Sequence, residues 1–340
     1  MFSFSDLRIR IVTAPMAGGP STPALVRAAA SVGAFGFLAA GSKRVEALAL
    51  QVDEARETCP GPFGVNLFVP ATSSGDAAAV AAYRAELSAD AARFGVALPE
   101  VKPGDTDLWD EKIDYLLAHP VPVASFTFGT PGDEVVDRLH AVGTHVMVMV
   151  TDPEEALAAT AVGVDSLCVQ GPDAGGHRGT HAVDKAPDDR DLDTLLRDVR
   201  EATGLPLIAA GGISTPERVA TLLNGGAAAV QVGTAVLLTP ECGASEVHKQ
   251  ALRSGQYADT TLTRAFSGRL ARGLTNRFIR DHDSAAPAAY PELNQLTRPL
   301  RAAAAAAGDQ DGVSLWAGTR FADIREAPAA EILTWLWLRG

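Results

Sequence analysis

A single histidine in a glycine-rich turn, His177 within QGPDAGGHRGT at 170–180, carries the chain's clearest capacity for chemistry. Imidazole titrates close enough to neutrality to move a proton. Gly171, Gly175 and Gly176 can adopt positive φ and let a ligand lie against bare backbone. Leu167, Cys168 and Val169 just before them form an apolar run, as expected of a strand buried on both faces of a parallel sheet. The turn therefore leaves the carboxyl end of a core strand, and binding and proton transfer can share it.

Two further turns have the chemistry of an anion site. LIAAGGIS at 207–214 is an apolar strand ending in two glycines before a helix, and VQVGT at 230–234 repeats the design one unit later. Glycines free backbone N–H groups, and a helix amino terminus adds partial positive charge, so Gly211, Gly212, Gly233 and Thr234 are candidate phosphate ligands. The simpler reading is that these glycines only make tight turns. Ala14, Pro15, Met16, Asn66 and Gln170 end three other apolar runs and supply what a flavin needs: backbone donors, an orienting amide and an apolar wall. Against that, Asn66 could cap a turn, Gln170 could close a strand-end hydrogen bond, and Met16 could be core.

These loops need a scaffold that brings strand ends together. Short β-rich runs recur at 11–15, 36–39, 64–68, 123–128, 145–150, 164–170, 207–210 and 228–232, separated by alanine-rich helical stretches. Eight alternations predict an α/β fold, a (β/α)8 TIM barrel, in which the turns at 211–212 and 233–234 follow the seventh and eighth strands. Loops after those two strands commonly hold phosphate. Thr22-Pro23, Thr130-Pro131, Asp152-Pro153 and Thr215-Pro216 each pair a capping oxygen with proline at the first helical position. Thr151-x-x-Glu154 and Ser214-x-x-Glu217 offer capping boxes one residue earlier. The rival is a doubly wound open sheet, but MAGGP after the first strand does not match G-x-G-x-x-G.

After residue 239 the pattern changes to Arg- and aromatic-containing segments at 263–280 and a proline-containing stretch at 286–299, before a final helix near 329–338. We expect residues 1–240 to form the barrel with the cofactor site, 241–310 a smaller capping insertion that bears on substrate, and 311–340 a segment packing back on the barrel. The stretch 70–120 is longer than one crossover helix requires and is expected to add to the cap.

Composition narrows the function classes. A net charge of −12 and a pI near 5.0 work against binding a phosphate backbone, so nucleic acid is not an expected partner. With 47% hydrophobic and 21% charged residues, and no apolar run near membrane-spanning length, a cytoplasmic globular protein without a membrane partner is expected. Cys59, Cys168 and Cys242 lie far apart without C-x-x-C spacing, so buried thiols are expected rather than disulfides or zinc. His177 and His181 share a glycine-containing loop, not a rigid helix, and there is no H-E-x-x-H, so no metal is expected.

APMAGG at 14–19, GVNLF at 64–68, QGPDAGGHRG at 170–179, AAGGI at 209–213 and QVGT at 231–234 together resemble bacterial nitronate monooxygenases, formerly called 2-nitropropane dioxygenases. SGRLARGLTNRF at 267–278, YPELNQLTRPLR at 290–301 and LWAG at 315–318 extend the resemblance into the last third. It implies FMN on a barrel, with Asn66, Gln170, Gly175, Gly212, Gln231, Gly233 and Thr234 at matching cofactor positions and His177 on the family's active-site histidine. Gly176 and Gly211, beside two of these, join the cofactor set. The pair Pro172-Asp173 departs from the family's usual sequence, in which glutamate follows a different residue, and bears on pocket shape.

The resemblance also implies oxidation of alkyl nitronates by O2 to an aldehyde or ketone plus nitrite. His177 would donate a hydrogen bond to the nitro oxygens, or remove the carbon-bound proton where neutral nitroalkanes are accepted. Tyr290 is a candidate pocket residue, with packing as its other reading. Arg178 is expected in a surface ion pair, and Arg269 and Arg272 on one solvated face of a helix. The same FMN barrel also suits NAD(P)H:quinone and enoyl reductases, although no separate dinucleotide fingerprint is visible. A non-redox lyase or isomerase could use the same glycine turns for a sugar phosphate, and a non-catalytic flavin carrier is a further reading. The protein partner left open is a second copy in a homodimer.

Overall fold

The structure, a computed structural model, describes residues 2–70 and 75–338. Its strands are β1 (Ile11–Thr13), β2 (Phe35–Ala39), β3 (Gly64–Phe68), β4 (Val123–Thr127), β5 (His145–Val150), β6 (Ser166–Gln170), β7 (Gly176–His177), β8 (Leu207–Ala210), β9 (Ala229–Val232), β10 (Thr260–Thr263) and β11 (Ala271–Leu274). The closed barrel runs β1-β2-β3-β4-β5-β6-β8-β9, all parallel, and β1 closes on β9 with Val12 opposite Gln231. All eight predicted strands are present and the (β/α)8 reading holds, with ends shifted by one or two residues. The two-residue β7 takes a number without joining the barrel, so β8 and β9 are its seventh and eighth strands.

Alternation inside the strands decides which side chains fill the barrel. Val12, Phe35, Phe37, Val123, Met147, Cys168 and Ile208 point inward and pack on Phe4, whose ring stands edge-on to Phe35 at 5.4 Å. Their neighbours, such as Leu38, Val65, Ala124, Val148, Leu167 and Val169, pack outward against the helices. Burial of both faces explains why the strands read as continuous apolar runs. Phe4 belongs to the short Phe4–Asp6 helix that precedes β1 and packs on Phe35 from the amino-terminal side, which leaves the carboxyl ends of the strands as the open mouth.

Three of the four predicted helix starts form as expected. Thr22 accepts from Leu25 N at 3.0 Å, Asp152 from Glu155 N at 2.9 Å and Thr215 from Arg218 N at 3.2 Å, each with proline at the first helical position. Thr130 does not cap. The helix there is Asp133–Ala141 with Gly132 as its cap, because Phe128, at φ 78°, turns the chain after β4 and the residues up to Gly132 stay outside the helix. The 151 box is also shifted: Glu155, not Glu154, accepts from Thr151 N and Oγ1 at 2.7 and 2.8 Å.

A second apolar cluster lies over the mouth. Val80, Tyr83 and Leu87 from the 75–94 segment pack with Phe266, Phe278, Leu293, Leu296 and Leu300. Tyr83 donates from its hydroxyl to Ala265 O at 2.5 Å, tying the insertion after β3 to the carboxy-terminal third. The region 263–280 is not one helix. Arg269 lies in a turn and Arg272 in β11, which pairs antiparallel with β10 on one side and with β7 on the other. The expectation of a shared solvated helix face is therefore corrected; Arg269 is 1% exposed. The helix Ala329–Leu336 packs back on Pro23–Ser31 and Pro216–Asn224. No helix among the described residues is long and apolar enough to cross a membrane.

Candidate active site

The mouth encloses a cavity of about 640 Å³. Ala14, Pro15, Met16, Asn66, Gln170, Gly175, Gly176, His177, Gly211, Gly212, Gln231, Gly233, Thr234 and Tyr290 all line it, so strand ends far apart in sequence converge on one space. Barrel closure does this: β1 neighbours β9, which brings the 14–16 loop against Gly233.

The loop carrying His177 is held from several directions. Gln170 donates from Nε2 to His177 O and accepts at Oε1 from Gly179 N, both at 2.9 Å. Its amide is thus a strut of the loop as well as part of the cavity wall. Arg178 reaches back to Gly171 O and, at 3.1 Å, to Gln170 O. It is 1% exposed, which corrects the surface ion pair expected of it: the loop carbonyls take the place of a carboxylate partner. On the far side, Arg178 N donates to Leu270 O at 2.8 Å and Ala271 sits opposite His177. Of the three glycines expected to adopt positive φ, only Gly176 does so, at 76°. Gly171 and Gly175 are instead required by packing, since a Cβ would crowd Leu192 at the first and overlap Gly318 N at the second.

His177 half-faces the cavity within an aromatic box of Phe128, Tyr290 and Trp316, at centroid distances of 5.6, 6.2 and 5.5 Å. Its Nε2 lies 2.8 Å from Ser267 Oγ. Burial, then the charges of Arg269 and Arg301, push its pKa down to about 3, so the ring is neutral at physiological pH. Arg269 lies over the Phe128 ring at 4.2 Å and the Tyr290 ring at 5.4 Å, and donates from Nη1 to Thr180 O at 2.7 Å. Burial lowers both Arg269 and Arg301 to about 10, which leaves them cationic at neutrality. His181 is structural: Nε2 is 3.0 Å from Met149 O, and its N–H donates to Glu155.

The strand ends fit a flavin nucleotide. Asn66 spends Nδ2 on Ser125 O, Ser125 Oγ and Thr127 Oγ1 at 3.2, 2.9 and 3.0 Å, which fixes the amide and leaves Oδ1 as an acceptor. Gln231 is 4% exposed, and its buried Oε1 has no partner among the described residues, an orphaned acceptor of the kind a ring N–H would satisfy. Thr234 Oγ1 accepts from Gly318 N at 2.9 Å, so its own proton is available to a phosphate oxygen. Gly211 and Gly212, with φ of 113° and 68°, expose backbone at the end of β8. Asp173 is tied to Thr319 through Oδ1 at 2.9 Å and its carbonyl at 3.1 Å, which draws the 318–319 segment against the same end of the cavity.

Sequence reasoning missed Lys43, Phe128, Asn294, Arg298, Arg301 and Trp316, all of which line the cavity. A signal for three of them existed: Asn294, Arg298 and Arg301 recur at i, i+4 and i+7 in the helix Glu292–Ala306, one stripe of a helix that begins beside Tyr290.

A family model described as nitronate monooxygenase matches residues 5–338. The chain is 38% identical over 332 residues to a nitronate monooxygenase of Pseudomonas aeruginosa, covering 95% of this chain and 93% of the relative. It is 34% identical over 313 residues to a probable nitronate monooxygenase of Staphylococcus aureus, covering 91% and 87%. Among solved structures, a nitroalkane oxidase from Streptomyces ansochromogenes superposes with a TM-score of 0.94 at 45% identity, covering 98% of this chain and 96% of that one.

Proposed function

The chain belongs to the nitronate monooxygenase family, a family of flavin-dependent oxidoreductases, and from that premise we propose that it binds FMN and oxidises alkyl nitronates with O2 to a carbonyl compound and nitrite. One observation carries the reading. A neutral histidine and the cationic Arg301 line the same cavity as the glycine turns after β8 and β9. Backbone groups at Gly211, Gly212 and Gly233 with the Thr234 hydroxyl would hold the phosphate, Gln231 and Asn66 would orient the ring, and Ala14 to Met16 would wall it. Bound there, FMN supplies the one-electron chemistry that the protein's own side chains lack.

The residues around His177 set which substrate suits the site. Arg269 and Arg301 disfavour a charged imidazole and stabilise an anion in its place, so a preformed nitronate is bound without any proton transfer. A neutral nitroalkane must first lose its carbon-bound proton; His177 lines the cavity as a candidate base, and the nitronate formed beside it offsets the arginine charges that hold its pKa down, so the ring can take that proton. Replacing it, His177→Asn, is expected to lower kcat/KM for nitroethane by roughly 100-fold and for ethyl nitronate by less than about tenfold. Equal losses in steady-state assays would exclude the base role.

The deciding experiment mixes FMN-loaded protein anaerobically with propyl nitronate and, separately, with NADH or NADPH. Loss of flavin absorbance with the nitronate alone is expected. Bleaching by nicotinamide alone would move the protein to the reductases, and a colourless protein that FMN cannot reconstitute would point to a non-redox phosphate barrel.

A further inference from the structure

Resting on that reading and carrying it one residue further, we propose that Ser267 is a positioning residue that holds His177 in the Nε2–H tautomer, so that the bare Nδ1 is the proton acceptor facing the cavity. Ser267 Oγ lies 2.8 Å from His177 Nε2 and 3.2 Å from Arg269 O. A hydroxyl has one proton to give. Arg269 is 1% exposed, and no other donor among the described residues reaches its carbonyl. Giving the Ser267 proton to the imidazole would orphan that buried acceptor, at the cost of a full desolvation penalty. The proton therefore goes to Arg269 O, and Ser267 Oγ accepts from the ring N–H. Among the described residues Nδ1 has no hydrogen-bond partner, and the ring lines the cavity.

The turn around Ser267 is built to hold this geometry. Ser267 N and Gly268 N both donate to Arg264 O, at 3.2 and 2.8 Å. Gly268 has φ 84°, and a Cβ there would overlap Ala289 O, so the turn packs tightly against the residue before Tyr290. Three residues after Gly268, Ala271 pairs with His177 itself, so the same segment fixes both the backbone and the ring of the histidine. In this tautomer His177 cannot donate to a nitro oxygen through Nδ1. When a neutral nitroalkane reacts, its C–H bond breaks, the electron pair stays on the substrate as the nitronate, and the proton passes to Nδ1. The imidazolium so formed keeps its Nε2–H on Ser267.

Nitrogen-15 NMR of FMN-loaded protein labelled at histidine, with His177→Asn identifying the resonance, tests the tautomer directly. Nε2 protonated and Nδ1 unprotonated is expected at pH 7. In Ser267→Ala the two tautomers are expected to mix, and kcat/KM for nitroethane to fall roughly tenfold more than for ethyl nitronate, about the effect of one buried hydrogen bond. A wild-type Nδ1–H signal overturns the proposal, as does a Ser267→Ala protein with unchanged tautomer and unchanged substrate ratio. Should Ser267→Ala fail to retain flavin, the wild-type nitrogen shifts still decide. Should the wild type oxidise neither substrate, the functional reading fails while those shifts continue to report on Ser267.

Discussion

At the scale of single residues, the atoms left without partners say most. Gln231 Oε1 is buried and unpaired among the described residues. Gln231→Leu is therefore expected to raise the Kd for FMN by roughly 10- to 100-fold in a fluorescence titration of the apoprotein, and an unchanged affinity would remove Gln231 from the cofactor set. Asn66 and the glycine turns were legible because each ends or breaks an apolar run with a residue the core would not choose, His177 because a glycine-rich turn carries it, and Gln231 only through the family resemblance. Arg178 and Arg269 were not. Arginine is seldom fully buried unless paired, and the partners here are the carbonyls of Gly171, Gln170 and Thr180, which every residue type carries and no sequence displays.

At the scale of elements, the loop after β6 is a reciprocal clamp: Gln170 reaches forward to His177 and Gly179, and Arg178 reaches back to Gln170 and Gly171. Arg178→Met would strip charge-assisted hydrogen bonds from two buried carbonyls. We expect it to destabilise the protein by about 3 kcal/mol in urea unfolding and to weaken flavin retention; a loss below about 1 kcal/mol would show that Gln170 and the β7–β11 pairing hold the loop alone. The eight barrel strands were readable since burial on both faces writes itself as an unbroken apolar run. The β7–β11 pairing was not: β7 has two residues, too few for any period, and its partner lies far along the chain. Thr130 misled because proline after a capping residue marks a helix start only where the chain has finished turning, and after Phe128 it has not.

At the scale of the whole molecule, burial makes stability depend on pH. His248 is 7% exposed, its Nε2 is unpaired among the described residues, and burial pushes its pKa down to about 4. A depressed histidine contributes its full stabilisation above its unfolded pKa near 6.5 and loses it progressively as pH falls from there toward the folded value. Between pH 7 and pH 5 His248 alone should remove about 2 kcal/mol from the unfolding free energy. In His248→Gln that part of the slope should vanish from denaturant melts, and an unaltered slope would assign the acid sensitivity elsewhere. The barrel was legible at this scale; the second apolar cluster was foreshadowed only by a change of pattern, because it is assembled from 75–94 and 265–300 at once. The histidine and its serine are likewise 90 residues apart. On a ribosome adding about 5–20 residues per second, His177 leaves the tunnel roughly 5–20 s before the segment that seats it, so the nascent chain carries that imidazole unaligned until Ser267 and the strand after it have followed.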